Sequence, residues 1–160
     1  RVSWAFKGIR QNEKIGNFGL VGGGAAGTEL DIVDTMLGSP PHTLVTATSA
    51  GRHTEAYLLV MEDYGFSQQG IDGTQHPRVR SDIAYHETPN GGACFAFSSI
   101  AFCGSLPWNN ADPKKNNISQ LVKNVLDRFA KDGPLPPPPK SAFKHRGRAA
   151  YDQPMNKKRK

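Results

Sequence analysis

Five prolines stand between residues 134 and 139, directly behind Gly133. No helix or sheet ladder runs through such a block. Each ring removes a backbone N–H and fixes φ, and what remains is extended, polyproline-type chain. The block divides the 160 residues into a body, 1–133, and a Pro-rich basic disordered tail, 134–160. The body is long enough for one domain with its own core. Charge follows the same boundary. The tail carries eight basic side chains against the single acid Asp152, a formal +7, while the body carries 12 basic and 13 acidic groups, a formal −1. The basic balance therefore belongs to the tail, and whole-chain charge does not define a nucleic-acid-binding protein. Lys157-Lys158-Arg159-Lys160 in isolation suggests nucleic-acid binding or nuclear import, but a solvated chain end is the simpler account.

No run approaches the roughly 20 apolar residues of a membrane helix. Cys94 and Cys103 do not make a disulfide framework and point to a reducing, cytoplasmic setting. No signal or transit segment is visible at the start. The first residue is Arg1 rather than Met, and the sequence opens at once into Val2-Ser3-Trp4-Ala5-Phe6. That opening leads us to expect a piece of something longer.

Residues 2–7 alternate polar and apolar side chains, which predicts a short strand. Residues 8–29 are Gly-rich and irregular. Leu30, Ile32, Val33, Met36 and Leu37 suit a short helix over 30–37, ended by Gly38-Ser39-Pro40-Pro41. The β-branched run 43–48 predicts a strand. Residues 54–63 fit either a helix face or, through Tyr57, Leu59 and Met61, a strand. Residues 65–79 read as a long polar loop. Ile83 and Tyr85, then Pro89-Asn90-Gly91-Gly92, then residues 93–97 predict a β-hairpin over 82–98, with positive φ at both central turn residues. A second apolar stretch, Ser98 to Leu106, is broken at Gly104, and residues 107–116 are loop. Ile118, Leu121, Val122, Val125, Leu126 and Phe129 have helical spacing. They predict a terminal helix over 118–130, capped by Asn116 or Asn117 and stopped by Gly133.

Gly22-Gly23-Gly24-Ala25-Ala26-Gly27 matches G-x-G-x-x-G literally. A dinucleotide site also needs a buried strand before it and an acid about 20 residues on. Two glycines interrupt the would-be strand, and no Asp or Glu lies between Asp34 and Glu55. The plainer reading is backbone passing close to another element. A third reading has the loop holding Glu29 in a fixed place beside a pocket. His53 and Glu55 follow the strand over 43–48, where α/β proteins often place site residues. They suit metal ligation, acid–base work, or a solvated junction. His42, His76, His86 and His145 show no ligand spacing, and the two cysteines do not make a zinc site. Glu87 is either a pocket carboxylate or a hairpin-edge residue. Ser98, Ser99 and Ser105 have no partnered His or Asp in the pattern, and G-x-S-x-G is absent.

Four pieces occur in order: Gly22-Gly23-Gly24-Ala25-Ala26-Gly27-Thr28-Glu29-Leu30-Asp31; Leu37-Gly38-Ser39-Pro40-Pro41; Glu87-Thr88-Pro89-Asn90-Gly91-Gly92-Ala93; and Gly104-Ser105-Leu106 with Asn124-Val125-Leu126-Asp127-Arg128-Phe129. Together they resemble the C-terminal end of the N,N-dimethylformamidase large (beta) subunit family, over about residues 2–131. The resemblance implies an α/β fold, the C-terminal part of a glutamine-amidotransferase-like (Rossmann-like) domain. It implies hydrolysis of dimethylformamide or a related small amide to formate and an amine. It also implies a single iron held by a Tyr, a His and a Glu upstream of the resembling region, and a small accessory subunit as partner.

In the family the His and Glu lie in a Ser-His-Pro-Glu type stretch. Here His76-Pro77 is followed by Arg78, so that stretch is missing. The chain is therefore expected to hold no iron by itself, to be inactive alone, and to need the N-terminal part of the large subunit. Iron in such an enzyme supplies a nucleophile at neutral pH by acidifying water. A neighbouring carboxylate takes up a proton and returns it to the leaving amine. Motif position favours Glu29 for that carboxylate over Glu55 and Glu87, with His53 as a pocket hydrogen-bond donor. Dimethylformamide has no N–H, so apolar side chains must receive its methyls. Phe95, Phe97 and Phe102 suit that role or, more simply, core packing. The alternative class is a non-catalytic α/β interaction module in which the Gly loop is structural and the basic tail binds acidic partners.

Overall fold

The computed structural model describes residues 1–61, 66–106, 116–138 and 140. Its strands are β1 (Leu44–Thr48), β2 (Leu58–Met61), β3 (Phe66–Asp72), β4 (Asp82–Glu87) and β5 (Ala93–Ala96), and its helix is α1 (Asn117–Phe129). A three-stranded sheet runs β1-β4-β5 with β4 in the middle, and β2 and β3 form a separate ribbon. Every strand pair is antiparallel among the described residues. The class is mixed α/β, and these residues do not form by themselves the parallel sheet expected of a glutamine-amidotransferase-like domain. The basic run at 157–160 and the end of the tail lie outside the described residues.

The core explains where α1 sits. Ile118, Leu121 and Val125, three or four residues apart, are buried and meet Ala5, Ala25, Ile83 and Phe102. Asn116 caps the helix: its Oδ1 accepts the Ser119 N–H at 2.9 Å. Asn117 ties the first turn to the glycine-rich segment, accepting from the Gly16 N–H at 3.0 Å and donating to the Lys14 carbonyl at 2.9 Å. Gly16 lies at φ +64, where an added Cβ would come within 2.4 Å of the Ala25 Cβ. Only glycine lets that crossing close.

The hairpin forms as expected with a different turn. Gly91 N–H donates to the Thr88 carbonyl at 3.2 Å, and Thr88 N–H donates to Gly92 at 2.8 Å. Gly91, at φ +80, takes positive φ, and Asn90 does not. Pro89 is the reason. Its fixed φ suits the second position of a type I turn, and the left-handed residue moves on to Gly91 as a bulge.

Three further expectations are corrected. Residues 2–7 are not a strand; Ser3–Phe6 is a 3-10 turn that buries Ala5. The Asn124 amide of α1 donates to the carbonyls of Ala5 and Lys7, each at 2.8 Å, so a helix side chain satisfies backbone that would otherwise seek a sheet partner. The helix over 30–37 shrinks to one 3-10 turn, Thr35–Leu37. Upstream of it the backbone is engaged elsewhere: Asp31 N–H donates to the Ser98 carbonyl and Val33 N–H to the Asp82 carboxylate. Finally, the polar stretch 65–79 contains β3, paired along β2. Ladder bonds are made by the backbone, and polar side chains hide them from a search for apolar alternation.

The proline block starts against the body. Leu135 N–H donates to the Gly91 carbonyl at 3.0 Å, and the Arg128 guanidinium donates to the Pro134 carbonyl at 3.0 Å.

Candidate functional site

A cleft of about 610 Å³ opens between the glycine-rich segment and the end of β1. Gly22–Ala26 form one wall; Ser49, His53 and Tyr57 form the other; Ala47, Ile83, Phe97 and Phe102 supply the apolar part. Phe97 and Phe102 stack with centroids 4.0 Å apart. They serve cleft and core together. Phe95 packs instead on Trp4 and Tyr85 and does not line the cleft.

The polar wall is built from the β1–β4 ladder. Past Thr48 the ladder continues, because Ser49 N–H donates to the Ser81 carbonyl at 3.0 Å. The Ser49 Oγ also accepts the Ser81 N–H at 2.7 Å. A turn then folds back, with Arg52 N–H on the Ser49 carbonyl and Gly51 at φ +68. That brings His53 Nε2 to 2.7 Å from the same Ser49 Oγ. His53 is 9% exposed, its ring centroid lies 4.6 Å from that of Tyr57, and burial lowers its pKa. Gly73 closes the back of the ring, where any Cβ would come within 2.4 Å of the His53 Cβ.

Glu29 lies elsewhere. It is exposed, adopts φ +48, and is not among the cleft residues. Thr28 beside it is pinned to Ser99 and Ile100: the Ser99 hydroxyl donates to the Thr28 carbonyl at 2.6 Å, and Ile100 N–H donates to it at 3.2 Å. Glu29 thus lies outside the cleft that His53 lines. Glu55 is exposed, and no hydrogen bond joins it to His53. The G-x-G-x-x-G run has the plainer role: a Cβ on Gly22 would meet the Gly27 Cα at 2.7 Å, and no helix follows it.

Glu87 is neither a pocket carboxylate nor an open hairpin edge. It is fully buried at the end of β4, with the Arg1 guanidinium donating to both its oxygens, Nε to Oε1 at 2.8 Å. Burial, the largest single influence, pushes its pKa up, but the Arg1 hydrogen bonds, a backbone hydrogen bond and the nearby Arg1 charge together hold it below the usual carboxylate range. His42 lies beside it, with Nε2 at 2.8 Å from the Glu87 carbonyl. Ser49, Ser81 and Tyr57 escaped the sequence reading. A serine four residues before the histidine was the available signal, since a turn brings such a pair together.

No group of three or more His, Cys, Asp or Glu among the described residues could hold a metal ion. The side chains gathered here do not make the donor set that an iron site needs.

Taken together, the fold and the cleft define a mixed α/β unit with a recess that combines an aromatic floor, one buried imidazole, the hydroxyl-bearing residues Thr48, Ser49, Thr54, Tyr57 and Ser81, and the charged residues Glu13, Lys14 and Arg52. The chain belongs to the N,N-dimethylformamidase beta subunit-like, C-terminal family, whose model matches residues 1–117. It is 50% identical over 136 residues to an N,N-dimethylformamidase beta subunit from Alcaligenes sp and 48% identical over 136 residues to that from Paracoccus aminophilus. Each alignment covers 85% of this chain and 17% of the relative, so the chain spans about a sixth of the length of the curated proteins it matches.

Proposed function

We propose that this chain is the C-terminal region of the large subunit of an iron-dependent amidohydrolase that cleaves dimethylformamide or a related small amide to formate and an amine. The observation that carries this reading is the near-50% identity to two N,N-dimethylformamidase beta subunits over 136 residues. In this reading the segment completes a glutamine-amidotransferase-like domain whose remaining strands and iron ligands come from preceding large-subunit sequence. A small accessory subunit joins the assembly, and the enzyme works in the cytoplasm. Without the preceding sequence the chain is inactive. No helix among the described residues is long and apolar enough to cross a membrane.

Two side chains of this chain enter the chemistry. Glu29, exposed beside the hydrogen-bonded Thr28, offers its carboxylate to the adjoining part of the subunit, where it accepts a proton and returns it to the leaving amine. His53 donates a hydrogen bond in the cleft. The test is amide hydrolysis with metal analysis on the full-length large subunit, assembled with its partner, comparing wild type with Glu29→Gln. Loss of turnover with iron content unchanged is expected. Normal turnover in the variant removes Glu29 from the mechanism, and no hydrolysis of any small amide by the wild type overturns the reading.

A further inference from the structure

The shared contacts of Ser49 set the protonation pattern of His53. The Ser49 Oγ accepts the Ser81 N–H at 2.7 Å, which leaves one hydroxyl proton to place. Two acceptors compete for it: His53 Nε2 at 2.7 Å and the Ser81 carbonyl at 3.4 Å. The Ser81 carbonyl already accepts the Ser49 N–H at 3.0 Å, so the hydroxyl proton goes to the shorter contact, His53 Nε2. A neutral imidazole that accepts at Nε2 must carry its proton on Nδ1. No described residue bonds Nδ1, and the ring lines the cleft. The same cleft presents the stacked pair Phe97 and Phe102 as an apolar floor.

We propose that Ser49 is a positioning residue that fixes His53 as the Nδ1–H tautomer, and that the cleft thereby binds a small neutral tertiary amide, carbonyl oxygen on His53 and N-alkyl groups against Phe97 and Phe102. This rests on the reading of the chain as part of a small-amide hydrolase. It adds the residue that orients the donor and the side of the substrate each wall receives. The ligand chemistry follows from the walls. A molecule with acceptors and no N–H needs donors only, which is what a tautomer-locked imidazole provides. Lys14 and Arg52 also line the cleft, and formate tests whether an anion is held there in place of the amide.

The experiment is nitrogen NMR of the histidine rings in the whole chain, with the His53 signals identified through His53→Gln. Wild type, Ser49→Ala and Ser49→Thr are compared, and dimethylformamide and formate are titrated separately. Wild-type His53 is expected to carry its proton on Nδ1. Ser49→Ala should abolish that preference and weaken amide binding about fivefold, as loss of one net hydrogen bond implies. Ser49→Thr, which keeps the hydroxyl, should restore both. Dimethylformamide should shift the Nδ1 signal saturably, and formate should not. A proton on Nε2 in the wild type, a tautomer indifferent to Ser49→Ala, or saturable binding of formate in place of the amide overturns the inference. If Ser49→Ala fails to fold, the wild-type tautomer and the threonine variant still decide it. None of these readings depends on turnover, so failure here and failure of the hydrolase reading are separately visible.

Discussion

Asn116 makes three hydrogen bonds with one amide, and removing them gives a worked prediction. Its Oδ1 caps α1 through the Ser119 N–H at 2.9 Å, while its Nδ2 donates to the carbonyls of Ser105 at 3.0 Å and Leu106 at 3.1 Å. The residue is 4% exposed, so water does not replace the lost partners. Losing the cap costs about 1 kcal/mol. The Leu106 carbonyl keeps a second donor, the Ser119 hydroxyl at 2.9 Å, and loses little. Among the described residues the Ser105 carbonyl has no such substitute, and a buried polar group left without a partner costs about 1–3 kcal/mol. Asn116→Ala should therefore lower stability by about 2–4 kcal/mol. Asn116→Asp keeps the cap acceptor but turns a carboxylate toward two carbonyls, so it should not recover the loss. Urea unfolding followed by circular dichroism measures both, with an unchanged slope marking a change in stability alone. A loss under about 0.5 kcal/mol in Asn116→Ala, or full recovery in Asn116→Asp, would refute the reasoning, because both depend on the donated bonds mattering.

Three other outcomes are expected. Gly16→Ala combines a positive φ with a contact of 2.4 Å to the Ala25 Cβ and should cost about 2–4 kcal/mol, read as a lowered thermal midpoint. Arg1→Ala strands the buried Glu87 carboxylate; Arg1 is itself partly open to solvent, so the cost should be about 2–3 kcal/mol at neutral pH and should fade in acid as Glu87 protonates, visible in urea midpoints from pH 7 to pH 3. His53, through burial, and His86, through burial and then His42, both have lowered pKa values, so the native state resists protons that the unfolded chain takes up below about pH 6.5. Stability should fall as pH drops through that point, and His86→Gln should flatten the fall.

The sequence made legible what rests on local pattern. The spacing of Ile118, Leu121 and Val125 predicts α1, Asn116 or Asn117 its cap, and Asn-Gly the hairpin, because each is decided within a few neighbouring residues. Structure decided by distant partners stayed hidden. Ser3–Phe6 turned rather than extended because Asn124, over a hundred residues on, takes its carbonyls. Glu87 looked like an edge residue until Arg1, 86 positions earlier, met it. At the site, His53 stood out as a titratable group past a strand. Its partner Ser49 did not, because a hydroxyl gains meaning only from the turn that aims it.

The bonds from the Leu135 N–H to Gly91 and from Arg128 to Pro134 moor the first residues of the proline block to the hairpin tip and to the last turn of α1. Pro134 and Leu135 thus mark a pinned exit point where the chain leaves the seam between hairpin and helix. A reporter dye attached at Cys94 on β5, an exposed thiol on the strand leading from that tip, would watch the traffic there.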